Sequence, residues 1–184
     1  MTLFCVQPQP GSFGCYSASA HGIKDIKTDS FKKTEEFHDN TGTERGWYIQ
    51  PCMGESWKVK TDIPCSVLHA MLDAKLAPDP FYRKNEYEVR ELLDQDFCYT
   101  LYFTPQKEVL AQQYAELVFY GLDTLADIRL NGEFLGMVDN MHRTWHFPVS
   151  GRLKAGENCL EIVFHSSLRY IREKGQDAIV HYVA

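Results

Sequence analysis

At 184 residues the chain has room for about one domain, large enough to bury on the order of 70% of its unfolded surface. It carries 19 basic and 25 acidic residues, a formal net charge of −6, and no basic cluster beyond Lys32-Lys33. A nucleic-acid binder wants a basic stripe, so no nucleic-acid partner is expected.

Residues 1 to 45 are rich in Ser, Gly, Thr, Lys and His and show no sustained period of 2 or 3.6. They read as an irregular N-terminal extension, lying over the domain or disordered, with a short polar helix over Thr28 to Glu36 as its one local element. Met1 to Val6 has neither the basic region nor the apolar core of a signal peptide. No apolar stretch is long enough to cross a membrane. The expectation is a cytoplasmic protein with reduced thiols and no membrane contact. Six cysteines (Cys5, Cys15, Cys52, Cys65, Cys98 and Cys159) contain no C-x-x-C pair, so neither a structural zinc site nor any other cofactor is expected.

Globular patterning begins at Gly46 and continues to Ala184. Trp47-Tyr48-Ile49 and Trp57-Lys58-Val59 are short β-prone runs separated by Pro51 and Gly54. After Pro64, Ser66 stands as an N-cap before Leu68, Met71 and Leu72 at helical spacing, which predicts a short helix to Ala74. Pro78 and Pro80 end it. Glu86 to Leu93 predicts one or two further helical turns, with Glu86, Glu88 and Glu91 on a solvated face.

Strands dominate from Phe97 onward. Phe97, Tyr99, Leu101 and Phe103 alternate with Cys98, Thr100 and Tyr102 until Pro105 stops the run. In Tyr114 to Tyr120, Ala115, Leu117 and Phe119 share one face. Ile128 and Leu130 lead into Asn131-Gly132, a pair that tolerates the positive φ of a two-residue hairpin turn. Thr144 to Val149 reads as another strand. A turn at Ala155-Gly156-Glu157-Asn158 precedes the last, in which Leu160, Ile162 and Phe164 oppose Glu161, Val163 and His165. About eight short strands result, and they predict an all-β fold, an antiparallel two-sheet β-sandwich of the jelly-roll kind with one or two short helices.

His142 and His146 share a four-residue spacing that binds zinc on a helix. On a strand they lie about 13 Å apart, so a structural role is expected. Flat aromatic faces can stack on sugar rings, and Trp47 and Trp57 are the candidate sugar platforms. Most other aromatics fall at alternating positions that fill a sandwich core. No Gly-rich phosphate loop and no G-x-S-x-G elbow is present.

The order of motifs resembles the N-terminal sugar-binding domain of glycoside hydrolase family 2, nearest to the β-mannosidases. The matching residues are Gly121-Leu122-Asp123-Thr124, Leu130-Asn131-Gly132, Gly136, Asp139-Asn140-Met141, Phe147-Pro148-Val149 and Gly156-Glu157-Asn158. A second block runs from Ile63-Pro64-Cys65-Ser66-Val67 to Asp79-Pro80-Phe81-Tyr82-Arg83-Lys84-Asn85-Glu86. The resemblance covers roughly residues 56 to 174.

The resemblance implies a galactose-binding-domain-like jelly roll over residues 46–184 that serves a retaining (β/α)8 catalytic barrel. Such a barrel takes about 250 residues and cannot fit here. The family's two catalytic glutamates belong to that barrel, so no residue of this chain is assigned a catalytic role. Asn85 is the expected substrate-proximal residue, since its amide both donates and accepts, with Arg83 and Tyr82 in support. The competing expectation is that Asp79 and Asn85 only fasten an irregular loop. The family's Trp-Asp-Trp segment does not occur before Ala184, from which truncation at the C-terminal end of the domain is expected. The implied partners are a β-mannoside or related glycan and a catalytic barrel in cis or in trans. The alternatives are a stand-alone carbohydrate-binding module and a docking subunit.

Overall fold

The computed structural model of the chain describes residues 2–10, 46–54 and 56–175. Among them are ten strands: β1 (Thr2–Pro10), β2 (Gly46–Pro51), β3 (Val59–Thr61), β4 (Cys65–Ser66), β5 (Phe97–Phe103), β6 (Ala115–Asp123), β7 (Ala126–Leu130), β8 (Glu133–Val138), β9 (Trp145–Pro148) and β10 (Asn158–Phe164). Four helical segments accompany them: α1 (Val67–Asp73), α2 (Asn85–Leu93), α3 (Lys107–Leu110) and α4 (Ser167–Gly175). The strands form two antiparallel sheets, one ordered β4-β1-β6-β9 and the other β3-β2-β5-β10-β7-β8. The all-β sandwich is therefore present. It carries more helical segments than the one or two expected, because α3 and α4 are too short and too polar for apolar periodicity to reveal them.

Strands β5 and β10 run through the middle of the larger sheet, with Phe97 opposite Phe164, Tyr99 opposite Ile162 and Leu101 opposite Leu160. All of these but Leu101 are fully buried. The smaller sheet contributes Leu117, Phe119 and Leu122 from β6 and Phe147 from β9 to the same core. Phe119 and Phe147 meet edge to face at 5.7 Å, as do Tyr99 and Phe164 at 5.1 Å, the geometry that aromatic quadrupoles favour. The Tyr99 hydroxyl donates to the Cys65 carbonyl at 3.1 Å, and burial raises its pKa, so it remains a donor.

The reading of residues 1 to 45 as irregular is corrected at Thr2–Pro10. That segment is a strand between β4 and β6, in register from Thr2 opposite Asp123 to Pro10 opposite Ala115. Its pattern is obscured by register shifts around Cys5 and by Pro8 and Pro10. Beyond Leu3 only β6 pairs with β1 among the described residues, which leaves an edge where a proline costs no ladder bond. The helix expected over Thr28 to Glu36 lies outside the described residues.

Two turns on one end of the sandwich are fastened by asparagines. Asn131 adopts φ +55° and Gly132 φ +84°, as the hairpin turn between β7 and β8 requires. The fully buried Asn158 accepts from the Lys154 N–H and from Asn131 Nδ2, both at 2.9 Å. Its own amide donates to the carbonyls of Lys154 (2.9 Å) and Gly156 (3.0 Å). Asn131 Oδ1 accepts from the Cys159 N–H at 3.1 Å, so the hairpin and the turn into β10 lock together. On β8, a Cβ at Gly136 would come within 2.7 Å of the Phe147 ring, so any side chain there displaces the ring.

Asn158→Ala removes four hydrogen bonds at a buried site and should lower the unfolding free energy by about 2–4 kcal/mol. Gly136→Ala, which forces Phe147 to shift, should cost about 1–3 kcal/mol. Urea denaturation followed by tryptophan fluorescence measures both.

Candidate functional site

The sequence places its candidate residues in the connection from α1 to α2, and the structure shows how that connection is held. Asp79 Oδ1 accepts from the Phe81 N–H at 2.9 Å, an Asx turn. The Asp79 carbonyl accepts from Asn85 Nδ2 at 2.9 Å and from the Tyr82 N–H at 3.2 Å. Arg83 takes φ +55°, and its guanidinium lies 5.0 Å from the centre of the Tyr82 ring. Tyr82, Arg83 and Asn85 are thus brought together on one fastened loop. The expected loop-fastening hydrogen bonds of Asp79 and Asn85 are present. Its apex projects: Phe81 is 96% exposed, and Tyr82 and Tyr87 are exposed beside it.

The candidate platforms are not part of that loop. Trp47 is 8% exposed and belongs to the sandwich core, so its reading as a surface platform is corrected. It lies on the inward face of β2, where Ile49 is also buried. Trp57 is half-buried, with its ring tilted against Phe97 at 6.0 Å, which leaves only part of a face to solvent. His146 stands on β9 and meets Glu116 at 3.3 Å, while His142 lies in the turn before it. Among the described residues no group of three or more His, Cys, Asp or Glu side chains could hold a metal ion.

A second constellation escaped the sequence reading. The antiparallel pairing of β5 with β10 sets Asp94 and Asp96, just before β5, against His165 and Ser166, just after β10. Asp96 accepts from the Ser166 N–H (2.8 Å), from Arg169 and from His165 Nδ1 (3.2 Å). Asp94 accepts from Ser166 Oγ at 2.6 Å and pairs with Arg172. Ser166 Oγ also accepts from the Arg169 N–H at 3.0 Å, capping α4. Helix α4 has no fully buried residue, so charges and this cap fasten it more than apolar packing does. The signal existed in Asp94-x-Asp96 and Arg169-x-x-Arg172, but it becomes readable only once the β5–β10 register is known.

Two clefts flank α4. One of about 450 Å³ lies between α4, the start of β7 and the end of β8, with Asp127, Met137, Trp145, His165, Arg169 and Tyr170 in its lining. The other, of about 230 Å³, lies among Val67, Leu93, Phe97 and Leu168.

The electrostatics of the cluster are one-sided. Hydrogen bonds from Arg172 and Ser166 hold the Asp94 carboxyl below its ordinary value. Burial pushes Asp96 upward, but the bonds from Arg169, Ser166 and His165 outweigh it and leave the net value lowered. Both carboxylates are ionised at neutral pH.

Residues 37–183 match the glycosyl hydrolase 2 galactose-binding domain-like family. The chain belongs to this family. Among curated relatives, a β-mannosidase of Bos taurus is 28% identical over 137 residues, and β-mannosidase A of Aspergillus aculeatus is 31% identical over 146. These matches cover 74% and 72% of this chain but 15% of each relative. The chain thus spans about a seventh of the length of the curated relatives it matches. A crystal structure of β-D-mannosidase from Dictyoglomus thermophilum superposes with a TM-score of 0.66 at 33% identity, over 74% of this chain and 17% of that one. The family motifs lie where the fold is most constrained: Asn131 and Asn158 lock turns, and Gly136 admits Phe147.

Because both carboxyls of the cluster are lowered, their stabilisation is complete above the ordinary value of 3.8 and is lost as pH falls through the folded values. Asp96→Asn should therefore be less stable than the parent at pH 7 and should lose less further stability on going to pH 3. Parallel urea titrations at the two pH values check this; equal acid dependence in both proteins would contradict it.

Proposed function

We propose that this chain is the non-catalytic sugar-binding domain of a β-mannosidase-like glycoside hydrolase. In that setting it walls the substrate pocket of a retaining (β/α)8 catalytic domain, supplied in cis or in trans, and the glycan is a β-mannoside or a close relative. The observation that carries the reading is the loop Asp79–Glu86, in a domain whose relatives are named β-mannosidases. It projects an exposed Phe81 and Tyr82 from the sandwich, yet its backbone is fixed by Asp79 and Asn85. A wall residue must be presented to substrate without paying for its own ordering, and this loop meets both demands.

Asn85 is the residue proposed nearest to sugar. One N–H of its amide secures the loop, and the amide retains a carbonyl acceptor and a second N–H for hydroxyls. Tyr82 offers an exposed ring and a phenol, with Arg83 holding the ring's orientation from 5.0 Å.

The chemistry of the acidic cluster supports a non-catalytic role. Retaining hydrolysis needs two carboxyls about 5–5.5 Å apart, one kept protonated by a raised pKa. Asp94 and Asp96 are shifted the opposite way and are committed to arginines. Neither suits a general acid.

The purified 184-residue chain should release no aryl alcohol from an activated aryl β-mannoside above the buffer rate. Turnover that co-purifies with the chain and responds to substitution of its own carboxylates would overturn the proposal.

A further inference from the structure

We propose that the cleft between α4 and the β7–β8 hairpin is a glycan-binding site in its own right, selective for neutral over anionic sugars. It shares no residue with the Asp79–Glu86 loop and stands on its own chemistry, independent of any catalytic partner.

The cleft is built in layers. Its floor is apolar, formed by Leu125, Ala126 and Val138, of which the last two are buried. Its sides are Trp145, Met137 and Tyr170, the latter two 69% and 46% exposed. At about 450 Å³ it falls within the range of small-molecule sites, roughly 300–1,000 Å³. Apolar and aromatic walls of this kind suit the C–H face of a sugar ring.

Polar groups share the lining. Asp127 and Arg169 both reach the cleft and both are partly exposed there. Arg169 gives one terminal nitrogen to Asp96, while its planar fork carries five N–H donors in all. Asp127 meets His165 Nε2 at 3.5 Å through one oxygen, and an ionised carboxylate accepts at several lone-pair positions. A carboxylate and a guanidinium in one lining offer sugar hydroxyls an acceptor at Asp127 and a donor at Arg169. His165 is fixed on its other side by Asp96, and Trp145 by a bond from Nε1 to the Asn140 carbonyl at 3.1 Å, so both walls are positioned before any ligand arrives.

Charge sets the selectivity. Asp127, Asp139 and Glu173 line the cleft, and the one guanidinium among its lining residues is already paired with Asp96. Carboxylates outnumber guanidinium groups among the lining residues, and the Arg143 guanidinium stacks 4.5 Å from the Trp145 ring centre. A hexuronate would add a further negative charge beside these carboxylates, whereas a neutral hexoside would not.

Amide chemical shifts of the full chain, titrated with methyl β-D-mannoside and with methyl β-D-glucuronide, test the site. The mannoside should give saturable shifts at Ala126, Asp127, Val138 and Arg169, with the glucuronide at least about tenfold weaker. Asp127→Ala should weaken mannoside binding about tenfold. Because Asp127 also touches His165, Met137→Trp serves as the second variant: it fills the cleft from an exposed position and should abolish the shifts while the fold stands. Absence of saturable shifts at these amides, equal affinity for the glucuronide, or unchanged binding by Met137→Trp would each overturn the inference. Shifts confined to Phe81–Asn85 would overturn it too, while favouring the pocket-wall reading.

Discussion

The pairing of β5 with β10 is the constraint on which the rest depends. These two strands sit in the middle of the six-stranded sheet, and their register joins Phe97 to Phe164 and Tyr99 to Ile162 at the centre of the core. Carried one step past each strand, the same register brings Asp96 to His165 and Ser166, and so decides where α4 begins. A slip of one residue would turn the core faces outward and separate the acidic pair from its arginines. One pairing therefore sets the core, the helix that follows it and the cleft beside that helix.

Opposite design choices hold the two candidate surfaces. The Asp79–Glu86 loop is ordered by short-range bonds within its own sequence, Asp79 to Phe81 and Asn85, and can project without support from the core. The cleft beside α4 is assembled from residues distant in sequence, Asp127, Trp145 and Arg169, and exists only when the sheet is formed. Local fastening suits a surface that meets another domain. Long-range assembly suits a pocket that must keep its shape.

Much of the fold was legible in the residues. Alternation identified β5, β6 and β10, the Asn131-Gly132 pair marked its hairpin, and Ser66 caps α1 by accepting the His69 N–H. Strand β1 was not, because prolines and register shifts break its period and its partners lie more than fifty residues away. Trp47 looked like a surface platform because a short strand gives too few residues to tell its inner face from its outer one. Asp94, Asp96 and Arg169 looked like ordinary surface charges, since their meeting depends on a pairing across the sheet. The family motifs were visible as patterns, and the structure supplies their reasons: turn geometry at Asn131, close approach at Gly136 and a buried amide at Asn158.

The central claim is that this domain serves a catalytic partner through Tyr82 and Asn85. Its most direct test is a chimera in which this chain replaces the matching 17% of the Dictyoglomus thermophilum β-D-mannosidase. The account predicts hydrolysis of an aryl β-mannoside by the chimera, with KM raised about tenfold by Tyr82→Ala or Asn85→Ala. A folded, active chimera whose kinetics ignore both substitutions would contradict it.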